Sequence, residues 1–374
     1  MPSPADINLY IIREGDVSFN APFAFKDAGA YVFAMKSKWD MQLEVCMKYL
    51  NWSFIRDDRV VIYIPISTFT LLMFDRIARG NSTTPVGEDK GFFFEEGETA
   101  FWMLTLAIEI DYTGDISLTP FWFIPYIFTD SPPAIAGGLT AGFPKHYATI
   151  NMPQEFSFSP ECLLEALVLN PFSPNTKTTK EEIVRVTLAQ ELFIGEEIQQ
   201  FQTNTSRDYL LDSDLLKERA RSIFSNLFNQ EKFDNLGSVL DREELLGMLD
   251  REELRNVLDR DKLRNMLNEI NIDLIPSKMV FLKQFRAATG NDACYKSIVE
   301  ADIAFDGFHY KFPWFWLYSG KKFEITITDY DSCAIAANLG LQNTQNPILA
   351  LWANFDFSFP HVQEVWRTIP PQCN

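Results

Sequence analysis

The stretch "PPAIAGGLTAGFPKH", Pro132 to His146, places Lys145 directly after Pro144 at the end of a run of small, apolar and turn-forming residues. A lysine ordinarily sits where its ammonium reaches water. In an apolar pocket its pKa is lowered, because burial disfavours the charged form. The neutral amine is then a nucleophile toward carbonyl carbon and can form a Schiff base. Two plainer readings stand beside this one: a lysine that snorkels to the surface along its alkyl stem, and one that pairs with a carboxylate. Pro144 fixes φ just before Lys145, and in an extended segment Lys145 and His146 point to opposite faces. Pro132 and Pro133 read as the end of a strand, and Gly137 and Gly138 as sites of close backbone packing.

Few other residues are arranged for chemistry. The three histidines, His146, His309 and His361, are never four residues apart, so no zinc site and no other metal site is expected. There is no P-loop, and Gly137, Gly138 and Gly142 do not make a dinucleotide fingerprint, so no cofactor is expected. "GNSTT" and "NTS" lack the context of a nucleophilic serine. A formal net charge of -18 repels phosphate and argues against nucleic acid or an anionic membrane as a partner. Apolar runs such as "PFWFIPYIF" are too short to span a bilayer, and "MPSPADINLY" does not read as a signal peptide. Five scattered cysteines without CxxC spacing read as reduced thiols in a cytoplasmic protein. The sequons at Asn51, Asn81 and Asn204 then read as chance.

The elements that must hold Lys145 are mainly strands. Between 29 and 172, "YVFAMK", "RVVIYI", "TFTLLMF", "AFWMLTLAIEI", "FWFIPYIF" and "LLEALVL" are short β-branched or aromatic runs separated by turn clusters. Several are too apolar to have a wet face and should be buried on both sides. "DMQLEVCMKYLN" reads as a helix. Strands without helical crossovers point to an antiparallel sheet or barrel. Residues 176–275 turn charge-dense and helical in period, with a helix after Ser213 and a nine-residue repeat from Leu240: "LDREELLGM", "LDREELRNV", "LDRDKLRNM". Nine residues advance an α-helix by two and a half turns, so a continuous helix would present alternate units to opposite sides. This reads as a packing or assembly arm. Residues 276–366 return to strands and aromatics and should complete the first sheet. The expected organisation is a β domain of 1–175 and 276–374, split by a helical insertion over 176–275.

"PPAIAGGLTAGFPKH" resembles the lysine-bearing segment of the acetoacetate decarboxylase superfamily, which reads Pro-Ala-Ile-Ala, Gly-Arg-Glu, a few small residues, an aromatic, then Pro-Lys-Lys. Pro133 to Ala136 match its start, and Phe143, Pro144 and Lys145 match its end. "YVFAMKSKWDMQLEVCMKYL", "GFFFEEGETAF", "PSKMVFLKQF" and "CYKSIVEADI" are similar to further family segments. The resemblance implies an α+β fold, mainly antiparallel β, of the acetoacetate-decarboxylase type, here carrying a large helical insertion. It implies that Lys145 is the Schiff-base lysine of a lyase and that the family's acidic residue falls on Glu96 or Glu98. His146 replaces the adjacent family lysine and is mostly uncharged at neutral pH, so activation by a neighbouring cation is weakened. The family's Arg and Glu fall on Gly138 and Leu139, its early arginine on Gly29 or Ala30, and the acid of the "TFTLLMF" strand is apolar here. The pocket therefore reads as larger and more apolar than the family's. The expected substrate is a hydrophobic keto acid or other carbonyl compound, in decarboxylation, aldol-type or cyclisation chemistry. A cyclase or binding protein that holds a hydrophobic ligand without covalent chemistry is the alternative, and a homo-oligomer is left open.

Overall fold

The structure is a computed structural model that describes residues 21–52, 55–56, 59–82, 93–94, 98–111, 117–189, 276–286, 293–308, 315–318 and 322–367. Most of them lie in strands. The first block holds β1 (Phe23–Lys36), α1 (Trp39–Tyr49), β2 (Ile55–Arg56), β3 (Arg59–Pro65), β4 (Phe69–Ser82) and β5 (Phe93–Phe94). It continues with β6 (Glu98–Asp111), β7 (Ser117–Thr129), α2 (Pro132–Ala141), β8 (Lys145–Asn151), β9 (Cys162–Val168) and β10 (Thr179–Leu188). The second block holds β11 (Lys278–Arg286), β12 (Ala293–Asp302), β13 (Ala304–Phe308), β14 (Phe315–Tyr318) and β15 (Phe323–Ile327). It ends with α3 (Ile335–Leu339), β16 (Thr344–Gln345), β17 (Leu349–Phe359) and β18 (Val362–Arg367).

The centre is an antiparallel run β17–β1–β4–β6–β7. β6 is shared along one edge, its first half with β4 and its second with β3. β7 then makes two short parallel pairings, to β11 and to β8. From β11 the sheet extends antiparallel through β12 to β18, and from β8 through β9, β10 and β15 to β16. Among the described residues, strands after 276 therefore pair with strands before 172 at two places, β17 on β1 and β11 on β7, and β15 pairs with β10, which lies at 179–188. The fold is α+β and mainly antiparallel, as the pattern predicts.

Strand alternation separates two apolar clusters across the central sheet. Trp102, Leu104 and Leu106 of β6 face one, with Phe25, Phe143, Phe281 and Phe359. Phe101, Met103 and Ala107 face the other, with Tyr31, Phe33, Phe74 and Phe323. Twelve of the fourteen residues of β6 are buried, so the strand has no wet face and its uninterrupted apolar run is the expected signature. α1 docks through Trp39, whose Nε1 donates to the Pro65 carbonyl at 2.6 Å. Asn51, at the head of a sequon, is buried and bonds both the N–H and the carbonyl of Tyr63 through its amide. No described helix is long and apolar enough to cross a membrane.

Two local readings are corrected. The span from 176 does not start helical: Thr179–Leu188 is β10, whose Ile183, Val184 and Val186 are buried while Lys180 and Arg185 pair with Glu165 and Glu182 at the surface. Its charges are the wet positions of a half-buried strand held between β9 and β15, not a helical period. The rest of the assigned insertion, 190–275, with the helix after Ser213 and the nine-residue repeats, lies outside the described residues, as does His309. Second, Pro132 and Pro133 do not end a strand. β7 stops at Thr129, and the two prolines open α2.

Gly29 marks the tightest crossing of the core. A Cβ there would lie 2.4 Å from Cη2 of Trp352 on the neighbouring strand β17. Gly29→Ala is expected to destabilise the fold by about 1–3 kcal/mol through overpacking. Pairing it with Trp352→Leu should recover part of that loss, because the two changes share one volume. Equal and additive losses in urea unfolding would contradict the contact.

Candidate functional site

Lys145 is placed by a helix and its cap. Ser131 is the N-cap of α2 and accepts from Ala134 N–H at 3.3 Å, and Pro132 and Pro133 follow in the first turn, where a missing N–H costs nothing. Gly142 closes the helix at φ 98°, a left-handed conformation that suits glycine. Two reverse bonds complete the cap, from Gly142 N–H to Leu139 O at 3.2 Å and from Phe143 N–H to Gly138 O at 2.8 Å. The chain then turns through Pro144 into β8, which begins at Lys145. Gly138 lies against the lysine stem: a Cβ there would stand 2.6 Å from Lys145 Cδ.

β7 runs between β6 and β8, with Ile127 in register with both Trp102 and Lys145. The two side chains leave the sheet together, and Lys145 Nζ stands 5.8 Å from the centre of the Trp102 ring. Lys145 is 9% exposed and Glu98 8%. They form an ion pair, Nζ to Oε1 at 2.8 Å. The same carboxylate oxygen accepts from the Thr129 hydroxyl at 3.0 Å, which fixes its orientation. The lysine is thus both buried and paired with a carboxylate.

A third ionisable group shares the site. Asp75 on β4 is 1% exposed. Its Oδ1 accepts from Trp102 Nε1 at 2.9 Å, while its Oδ2 is buried without a hydrogen-bond partner. Burial, and then the Glu98 charge, push its pKa up to about 8, against the opposing influence of Trp102 and Lys145. At neutral pH Asp75 is a neutral acid beside the Lys145–Glu98 pair. Asp75 lies in register between Ala30 of β1 and Ala100 of β6, so small residues flank it on both sides.

The cavity onto which Lys145 and Glu98 open, and which Asp75 does not line, is walled by Phe23 and Phe25 from β1, Phe357 and Phe359 from β17, and Phe143. Ile77, Trp102, Gly137 and Gly138 complete most of the lining. The wall is as apolar as expected, but the space is not large. About 30 Å³ is free, room for roughly two waters. Aromatic rings take up the rest: Phe143 packs 4.4 Å from Phe281 and 5.1 Å from Phe359, centroid to centroid.

Of the residues singled out in the sequence, the structure brings Lys145 and Glu98 together. Glu96 lies outside the described residues. His146 leaves β8 on the opposite face, is exposed, and stands against Phe128 with ring centroids 5.6 Å apart; it does not line the cavity. The expectation that the "TFTLLMF" strand carries no acid is corrected: β4 runs on past Phe74, and the next residue, Asp75, is a buried acid. Its signal is an acid directly after an apolar run, one residue before Arg76.

No protein-family model matches the chain, and no curated protein matches it in sequence. Solved structures do. Acetoacetate decarboxylase from Legionella pneumophila subsp. pneumophila str. Philadelphia 1 superposes with a TM-score of 0.50 at 12% identity, over 98% of this chain and 96% of that one. An acetoacetate decarboxylase-like enzyme from Sphingomonas wittichii RW1 gives a TM-score of 0.50 at 7% identity, over 94% and 96%. The enduracididine biosynthesis enzyme MppR gives 0.46 at 10% identity, over 94% and 91%. The fold of this chain is the acetoacetate-decarboxylase fold.

Asp75 gives the site a pH signature. Its folded-state pKa is raised from 3.8 to about 8, so as pH climbs through that interval the unfolded chain loses a proton that the folded chain keeps. The native state is therefore progressively destabilised across the window and no further above it. Relative to wild type, Asp75→Asn should gain stability from pH 5 to pH 8 and then level off. Urea midpoints at several pH values measure this, and a stability difference independent of pH would refute it.

Proposed function

We propose that this protein is a lyase-type enzyme in which Lys145 forms a Schiff base with a hydrophobic carbonyl substrate. The observation that supports it most is the buried Lys145–Glu98 pair, 2.8 Å apart in an apolar cavity. A lysine attacks a carbonyl only as the free amine, so its proton needs an acceptor within hydrogen-bond reach. Glu98 is that acceptor, and Thr129 holds it in place.

The neutral amine adds to the carbonyl carbon, a C–N bond forms, and the carbonyl oxygen becomes a hydroxyl. That hydroxyl leaves as water, with a proton supplied by an acid, to give the iminium. Asp75, kept protonated by burial, is the acid suited to this step. The positive iminium then accepts the electron pair released when a bond at the adjacent carbon breaks, giving an enamine. Protonation of the enamine and hydrolysis return the product and the free lysine. Asp75 then takes back the proton that Glu98 accepted from the lysine, so Glu98 again stands as the carboxylate beside a positive charge, now the iminium.

Incubation with ketones and aldehydes under cyanoborohydride should leave a reduced adduct on Lys145, located by peptide mapping, that is absent in Lys145→Ala. No adduct across a broad panel, or one that persists in Lys145→Ala, would sink the proposal. Retained turnover in Lys145→Met would instead favour the non-covalent alternative.

Gly138→Ala tests the positioning. Alanine is preferred to glycine in a helix by about 1 kcal/mol, so the fold should hold or gain. The added Cβ displaces the lysine stem, and labelling should fall by about tenfold or more. Unchanged labelling at unchanged stability would show that the stem position is not used.

A further inference from the structure

The polar groups of the cavity bear on what its substrate carries besides the carbonyl. Among the described lining residues Lys145 supplies the positive charge, and Glu98 already neutralises it. Behind the lining, a second acid among the described residues, Asp75, is coupled electrostatically to this pair, and its Oδ2 has no hydrogen-bond partner. Across the sheet from Asp75 stand Ala30, Ala100 and, one strand beyond Ala100, Thr129, none of them cationic. Gly138, packed on the lysine stem, has no side chain to offer. The walls are phenylalanines.

We infer that the substrate is a neutral carbonyl compound, a ketone or aldehyde without a carboxylate near the reacting carbon. This rests on the Schiff-base reading above and narrows it. A β-keto acid would bring its carboxylate within a few bonds of Nζ. There the charge would meet Glu98 on the wall and the nearby acid Asp75, with no second cation among the described lining residues. An unpaired carboxylate in an apolar site costs several kcal/mol. Binding it to Lys145 instead would take the amine away from the carbonyl and strand Glu98.

The chemistry follows from the substrate. With no carboxylate to leave as carbon dioxide, the electron pair that reaches the iminium must come from an α C–H bond or from the C–C bond of a β-hydroxy carbonyl. In the first case Glu98 takes the α proton, the enamine forms, and return of a proton from solvent restores the iminium. In the second, a carboxylate takes the β-hydroxyl proton while the C–C bond breaks, releasing an aldehyde or ketone and leaving the enamine. Both balance without an oxidant or a second cofactor. The small free volume is consistent with entry of the carbonyl end first, a longer tail having to part the phenylalanine side chains.

The test uses matched pairs in which each acid is its ketone plus carbon dioxide: acetone with acetoacetate, and acetophenone with benzoylacetate. The full-length protein is incubated with each under cyanoborohydride, and Lys145 adducts are counted by mass, the keto-acid adduct being heavier by the carboxylate. The ketones should label Lys145 about tenfold or more faster than their acids, a factor that corresponds to roughly 1.4 kcal/mol. In deuterium oxide, the ketones should exchange their α protons only when Lys145 is present. The charged groups coupled to Asp75 are Glu98 from β6 and Lys145 from β8, with Ala30 of β1 and Ala100 of β6 in register beside it. As it ionises around pH 8 the preference for ketones should widen, and Asp75→Asn should remove that widening. Keto acids that label as fast as ketones, or that lose carbon dioxide in a Lys145-dependent way, would overturn the inference while leaving the Schiff-base reading intact. No label from either class would overturn both.

Discussion

The site depends on a buried ion pair inside an apolar sheet. Removing Lys145 and Glu98 from water carries a desolvation penalty, and their attraction offsets it only if the geometry is held. Holding it is the task of the surrounding strands. β6 carries Glu98 and Trp102, β7 carries Thr129, and β8 begins at Lys145. The register Trp102–Ile127–Lys145 fixes their relative heights. A sheet buried on both faces suits this role, because neither layer of side chains can move without disturbing a packed core. The Schellman-type end of α2 adds the second constraint. It decides where β8 starts, and so which residue of "PKH" points inward.

That last point explains why Lys145 and His146 part company. They are adjacent, but strand alternation sends them to opposite faces. Only the lysine reaches the cavity, and its inward neighbours are a carboxylate, an indole and phenylalanine rings. The electrostatics of the site are thus set by side chains distant in sequence. Glu98 is 47 residues from Lys145, and Asp75 acts from β4, another strand of the same sheet face.

Much of the fold was legible because its strands are long apolar runs with no wet face, a pattern that periodicity exposes directly. α1 was legible for the same reason. α2 was not, because "PPAIAGGLTA" is rich in residues that usually break helices. The signs were local: Ser131 before two prolines is an N-cap followed by first-turn prolines, and Gly142 is a left-handed cap. β10 was misread because its charges, Lys180, Glu181, Glu182 and Arg185, outweigh the buried Ile183, Val184 and Val186 in a composition count. Within the site, Lys145 was found through resemblance. Glu98 could not be separated from Glu96, since a two-residue slip keeps the same face. Asp75 was not legible because a single acid after an apolar run, in the middle of β4, carries no motif.

The weak identity to proteins of the same fold follows from the same physics. A core buried on both faces accepts many apolar combinations if volume and alternation are kept. At 7–12% identity the two structures with TM-scores of 0.50 share the architecture while most side chains differ. What the fold cannot substitute freely is the small set of groups that tolerate burial only in combination. Asp75, Glu98, Thr129, Trp102 and Lys145 form such a set, tied by the bonds Trp102–Asp75, Thr129–Glu98 and Lys145–Glu98, with Asp75 Oδ2 left unpartnered. A lone buried polar oxygen is costly to maintain for structure alone. Its position beside a lysine and a carboxylate is where a reacting carbonyl oxygen would find a donor.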